Sequence, residues 1–153
     1  MSDEREALRT WLDLLAVSQG LKKAVDTRLR SRFRHSISRF DVLSALERAG
    51  PDGLRAGALT ERLMVSDGAT TQVTAPLIRD GLVKRVVDRE DARVAIFTLT
   101  RKGERAFAEM AAEHRRWIDD AFAGLSPPQM KTLRRLLSQI SPAAIARARK
   151  DAA

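Results

Sequence analysis

The chain has 153 residues, 44% of them hydrophobic, enough for one globular domain or two small fused units with a substantial core. Its 28 Lys and Arg outnumber its 20 Asp and Glu, a formal charge of +8 that suits a polyanionic partner: nucleic acid, anionic lipid or a phosphorylated ligand. Cysteine is missing altogether, which excludes disulfides, thiolate catalysis and cysteine-bound zinc and suits a reducing cytosol.

The opening stretch, MSDEREALRTWLDLLAV, is acidic and amphipathic and does not read as a signal peptide. No apolar run approaches the length of a bilayer span, so no membrane association is expected. The expected location is the cytoplasm, with association to the nucleoid if the polyanionic partner is DNA.

From Glu4 to about Phe33 apolar residues recur at helical spacing: Leu8, Trp11, Leu12, Leu15, Val25 and Leu29, broadened by Leu14 and Leu21. One long helix, bent near Gly20, fits. It carries more apolar surface than a lone helix tolerates and must pack on something. Ser38-Arg39-Phe40-Asp41 resembles a capping box with Asp in the acidic role, so a second helix is expected to start at Ser38. Phe40, Leu43 and Leu46 form its buried stripe, and Gly50-Pro51 stops it.

After an extended stretch at Gly53 to Arg55, a compact helix is expected from Ala56 to Met64. A turn at Val65-Ser66-Asp67 follows, with Ser66 as N-cap, and then a helix to Asp80 ended by Gly81. Short helix, three-residue turn, second helix is the pattern of a helix-turn-helix, although short helical corners also occur in ordinary helical proteins. Leu82–Val87 and Val94–Leu99 have strand composition and flank a tip, DREDAR, with five charges in six residues. A hairpin directly after a helix-turn-helix makes a winged helix.

Thr100 to Phe122 is again helical, with Phe107, Met110, Ala111, His114, Ile118 and Phe122 on one side. Ser126-Pro127-Pro128-Gln129 combines an N-cap, a first-turn proline and a Gln three residues on, and the last helix runs to about Ile140. The tail PAAIARARKDAA either extends a helix or frays. The fold class is therefore mainly α with a small β element (α+β). It divides into an N-terminal helix over 1–36, a winged helix-turn-helix over 37–100 and C-terminal helices over 101–153. The long apolar stripes of the outer parts suit an all-helical dimerisation layer.

The segment DREDARVAIFTLTRKG resembles the wing signature of the MarR family of bacterial transcription regulators. There an Asp and an Arg two apart (here Asp91 and Arg93) precede a strand and then Leu-Thr-x-x-Gly (here Leu99, Thr100 and Gly103). GLVKR at Gly81 to Arg85 resembles the family's approach to the wing, and the order of elements agrees over nearly the whole chain. The resemblance implies a homodimer interlocked through its first, fifth and sixth helices, with two winged helices facing a pseudo-palindromic operator. It also implies repression relieved by a small molecule, in many members a phenolic or aromatic carboxylate and in some an aryl-CoA thioester. Some relatives answer to oxidants or zinc.

On the recognition helix, Thr70, Val73 and Leu77 share one face and are assigned to the core. Gly68, Thr71, Gln72 and Ala75, with Ser66 at the cap, are candidates for DNA contact. Thr71 matches a threonine the family usually has there, and Gln72 carries the donor–acceptor pair suited to adenine. A solvated helix face is the plain alternative. Pro76 departs from the pattern: in a helix interior it removes a hydrogen bond and clashes with the Gln72 carbonyl, at about 3 kcal/mol. Asp67 is an unusual residue for a DNA face. Arg89 and Arg93 are cations that a wing can insert into a narrow minor groove. The resemblance gives Arg93 that role, steadied by Asp91. Lys84 and Arg85 are phosphate contacts or solvated strand residues, and Arg55 and Arg62 are weaker candidates of that kind.

The basic stretch RLRSRFRHS offers Arg32, Arg34 and His35 for an anion, with Trp11, Leu15 and Phe40 as apolar walls for an aromatic ring. Each also has a plainer reading as solvated face or core. His114 is expected in a core or dimer seam. No metal spacing, cofactor motif or nucleophile–base set is present, so no cofactor and no enzymatic activity are expected. The competing reading is a winged-helix protein-interaction module without specific DNA binding.

Overall fold

The computed structural model describes the backbone of residues 4–151 and the side chains of 5–147. Helix α1 (Glu4–Phe33) runs without interruption through Gly20, where a bend was expected. Its second half is anchored by Val25 and Leu29, both buried, whereas Leu8, Trp11, Leu12 and Val17 of its first half are more than half exposed. It ends at Arg34, whose φ of 60° is left-handed. The Arg34 N–H returns to the Arg30 carbonyl and the His35 N–H to that of Leu29, which satisfies the last turn.

Helix α2 (Ile37–Ala49) is capped by Ser36, whose hydroxyl accepts the Arg39 N–H at 3.2 Å. This corrects the expected start at Ser38. Ser36 is the residue with extended backbone three positions before the N–H it accepts, and Ser38 already lies within the first turn. The start is also held by Asp26 of α1, which accepts the Ile37 N–H at 2.8 Å. Phe40, Val42, Leu43, Ala45 and Leu46 form the buried face. A single 3-10 turn (Gly50–Asp52) follows.

Next come strand β1 (Leu54–Arg55), helix α3 (Ala56–Leu63) and helix α4 (Asp67–Arg79). Strands β2 (Val83–Val87) and β3 (Ala95–Leu99) form the expected hairpin, with Arg85 opposite Phe97 and Val87 opposite Ala95. The extended stretch before α3 is a third strand: β1 pairs antiparallel with β3, giving the order β1-β3-β2.

Helix α5 (Arg101–Ala121) starts where the sequence placed it. The Thr100 hydroxyl donates to the Gly81 carbonyl at 2.6 Å and accepts the Gly103 N–H at 3.0 Å. Gly103 is buried, and a Cβ there would run into the Leu82 carbonyl. The Leu-Thr-x-x-Gly pattern thus seals the join between hairpin and helix. Phe107 packs on Phe40, ring centroids 5.5 Å apart, and Met110 is buried.

The chain divides into two compact units, one through Trp117 and one from Ile118. In the second, α6 (Pro127–Leu137) opens with the full expected capping box of Ser126 and Gln129. It stops at Ser138, earlier than expected, and the tail forms a separate helix α7 (Pro142–Asp151). No described helix is long and apolar enough to cross a membrane.

Candidate nucleic-acid interface

The N-cap of α4 is Ser66, as expected, its hydroxyl accepting the Ala69 N–H at 3.2 Å. The buried line of α4 is Thr70, Thr74 and Leu77. Val73, assigned to the core from the face it shares with Thr70 and Leu77, is only half-buried, and Thr74 takes the buried place. A threonine goes inside because its hydroxyl is satisfied locally: Thr74 donates to the Thr70 carbonyl at 2.9 Å, and Thr70 donates to Ser66 O while accepting from Thr60 of α3 at 2.9 Å. That last bond ties the two helices of the motif together.

Ser66, Asp67, Gly68, Thr71, Gln72 and Ala75 are all exposed. The Thr71 hydroxyl donates back to the Asp67 carbonyl at 3.1 Å, which leaves its lone pairs outward. Pro76 does not interrupt α4, which continues for three residues beyond it. Having no N–H, Pro76 leaves the Gln72 carbonyl without its usual helical donor. Preceding the cap, Met64 is left-handed (φ 55°) and 91% exposed, beside the exposed Val65. Sequence patterning gave no sign of this apolar turn.

Along β2, alternation sends Arg85 to the face shared with Val83 and Phe97 and Lys84 to the other, so the two flanking cations do not act on one side. Lys84 lines a groove with Glu47 and Glu104. At the tip, Asp91 accepts the Arg93 N–H at 3.0 Å and both arms of its guanidinium at 3.1 and 3.3 Å. The Arg93 side chain nonetheless remains 90% exposed. These bonds hold the Asp91 carboxyl below its ordinary range, Arg93 contributing most and the field of Arg55 adding to it. An exposed pair contributes only ~0–1 kcal/mol, so its effect is to fix where Arg93 points. Arg89 is exposed in the same turn. Arg55 is instead engaged with the buried Asp88, 2.6 Å away.

The six residues expected at a ligand site do not converge within one chain. Trp11 and Leu15 lie on the same unbroken helix as Arg32, and at ~1.5 Å per residue about 30 Å separates Trp11 from Arg32. Arg32 pairs with Glu113 of α5 at 3.1 Å, and Arg34 supplies the left-handed end of α1. His35 has a buried Nδ1 without a hydrogen-bond partner; burial and then the nearby Arg39 hold its pKa down, against Asp80. Phe40 is buried, stacked 4.7 Å from the His114 ring. Burial lowers the pKa of His114, while Asp41 opposes the shift. Asp41 itself is pushed up by burial, partly offset by Lys22, His114 and Arg48. It opens into a cleft lined by Ser44, Arg48 and Arg62, two arginines that sequence spacing did not associate. No group of three or more potential metal-ligating side chains occurs among the described residues.

A three-stranded antiparallel sheet behind a capped helix-turn-helix, with an arginine braced at the hairpin tip, defines a winged helix-turn-helix protein. The model of the MarR family matches residues 36–94, which hold the helix-turn-helix, β1, β2 and the hairpin tip and stop before β3. The HTH-type transcriptional regulator BilQ of Clostridium symbiosum (strain WAL-14163) is 29% identical over 82 residues, 54% of this chain and 57% of that protein. The chain therefore spans less than two thirds of the length of BilQ. The HTH-type transcriptional regulator YkoM of Bacillus subtilis (strain 168) is 29% identical over 142 residues, 91% of each chain. A mutant MarR from E. coli complexed with operator DNA shares the fold, with a TM-score of 0.79 at 21% identity over 93% of this chain and all of that one. Residues 36–94 of this chain are thus similar to the MarR family, its fold is that of MarR proteins, and the relatives it matches are described as HTH-type transcriptional regulators rather than enzymes.

Proposed function

We propose that the chain acts as a homodimeric, ligand-responsive repressor of a pseudo-palindromic operator. The observation that carries this reading is the wing tip, where Asp91 braces an otherwise solvent-exposed Arg93. An exposed fork held at a fixed angle suits insertion into a narrow A·T minor groove, and Arg89 adds a second cation. The open face of α4 lies in the major groove: Gln72 reads adenine, Thr71 and the Ser66–Gly68 turn approach phosphate or base edges, and Ala75 meets a thymine methyl. Of the two strand cations, Arg85 is the better placed for a phosphate on the helix side and Lys84 the poorer. The exposed apolar residues of α1 form the dimer surface.

The effector is an aromatic carboxylate or its CoA thioester. Arg48 and Arg62 offer the anion a site that Arg32, occupied by Glu113, does not, and the Phe40–Phe107–His114 cluster lies on the adjoining helices. A ligand that favours another separation of the two recognition helices weakens DNA binding by a coupling of about 1–3 kcal/mol.

Selection of duplexes from a randomised pool tests this reading. The expected product is a two-fold motif with half-sites about 34–36 Å apart, released by salicylate, benzoate or their CoA esters. If no sequence is enriched, the protein-interaction module, which the acidic Asp67 on the recognition face favours, replaces it.

A further inference from the structure

We propose that Arg55 is a positioning residue for the wing: through Asp88 it sets the turn that presents Arg93 to DNA. This inference rests on the reading of Arg93 as a DNA contact.

Arg55 occupies a place where its side chain has no local task. It is the N-cap residue of α3, yet it makes no capping hydrogen bond, and arginine is not among the residues favoured there. Its backbone is held by pairing with Ile96 in the sheet. From that fixed base its guanidinium crosses to Asp88, the first residue after β2. The Asp88 side chain is 8% exposed, and a carboxylate so far from water needs a cation or hydrogen bonds to offset its lost hydration. Its two oxygens divide the work. Oδ1 accepts the Glu90 N–H at 2.9 Å and bends the chain into the tip. Oδ2 faces Arg55 at 2.6 Å, off the line of a hydrogen bond, so the attraction is one of charge.

From Asp88 the contacts run on to the tip. The Asp88 N–H donates to the Val94 carbonyl at 2.9 Å and the Val94 N–H to the Asp91 carbonyl at 3.0 Å, closing the turn around Asp91. Asp91 then grips Arg93. Arg55 therefore links the helix-turn-helix to the wing, and the direction of Arg93 depends on a residue far from it in sequence. A phosphate contact by the same half-exposed guanidinium is the competing role.

The two roles separate in a double-mutant cycle on the full chain. Wild type, Arg55→Ala, Arg93→Ala and the double variant are titrated with the duplex that wild type selects, flanked by A·T or by G·C steps. Positioning predicts that Arg55→Ala weakens binding to the A·T-flanked duplex about tenfold and removes the flank preference, with less than about a twofold further effect once Arg93 is gone. Arg55→Lys restores the preference, because the contact acts by charge. Asp88→Asn keeps the Oδ1 acceptor and the turn, so it repeats the loss if Arg55→Ala fails to fold. Additive losses, or a flank preference retained by Arg55→Ala and Asp88→Asn, overturn the proposal and leave the DNA reading intact. No loss in Arg93→Ala overturns both.

Discussion

Asp91 holds Arg93 through the main chain and the guanidinium at once, and a pair two residues apart is legible in sequence because so few backbone conformations lie between them. Pairs made by tertiary approach were not legible. Arg32 was a candidate anion ligand until Glu113 met it from α5, and Arg55 was a candidate phosphate contact until Asp88 met it from the hairpin. At this scale the two histidines predict a pH dependence. Both have pKa values below the ordinary 6.5 because burial penalises the cation. The unfolded chain therefore takes up protons near 6.5 that the folded chain refuses. Stability is full above 6.5 and falls as the pH drops below it. Asp41, raised from 3.8, acts in the opposite sense, its contribution lost as pH rises above 3.8. Thermal melting from pH ~8 to ~5 should show the loss, and His114→Phe, which keeps a ring against Phe40, should reduce it. A melting temperature that does not fall over that range would contradict the account.

Elements were read best where a cap and a period agree. Ser66 and Ser126 were placed correctly because each precedes a helix whose third residue needs an acceptor. Ser36 and Ser38 compete at the start of α2, and the choice fell to Ser36 because Asp26 of α1 also binds Ile37 there, a contact invisible to local patterning. Thr74 displaced Val73 from the core for a related reason: its hydroxyl can be satisfied by its own helix, so polarity did not exclude burial. Two stability predictions follow from α4. Ser66→Ala removes the cap and should cost about 1 kcal/mol in chemical denaturation. Pro76→Ala restores the donor to Gln72 and should raise stability by about 1–3 kcal/mol, an unchanged midpoint counting against the strain assigned to that position.

For the molecule as a whole, fold class and wing were legible, because helix-turn-helix followed by hairpin is a pattern of order as much as of residues. The ligand end was not. Its candidates were Arg32, Arg34 and His35 of one basic stretch with Trp11, Leu15 and Phe40, whereas the proposed cleft draws Arg48 and Arg62 from two helices. The exposed Leu8, Trp11 and Leu12 of α1 belong to the proposed dimer. Leu12→Glu places a charge in that surface and should shift the chain from dimer to monomer in sedimentation, with loss of binding to the two-half-site duplex. A variant that stays dimeric would place the interface elsewhere.

The central claim, that this winged helix grips DNA through both helix and wing, is tested most directly by titrating wild type and Arg93→Ala against the selected duplex at two salt concentrations. The account predicts tight, salt-sensitive binding by wild type, with Arg93→Ala weaker and its salt slope smaller by about one. Equal affinity and equal slope for the two proteins would contradict it.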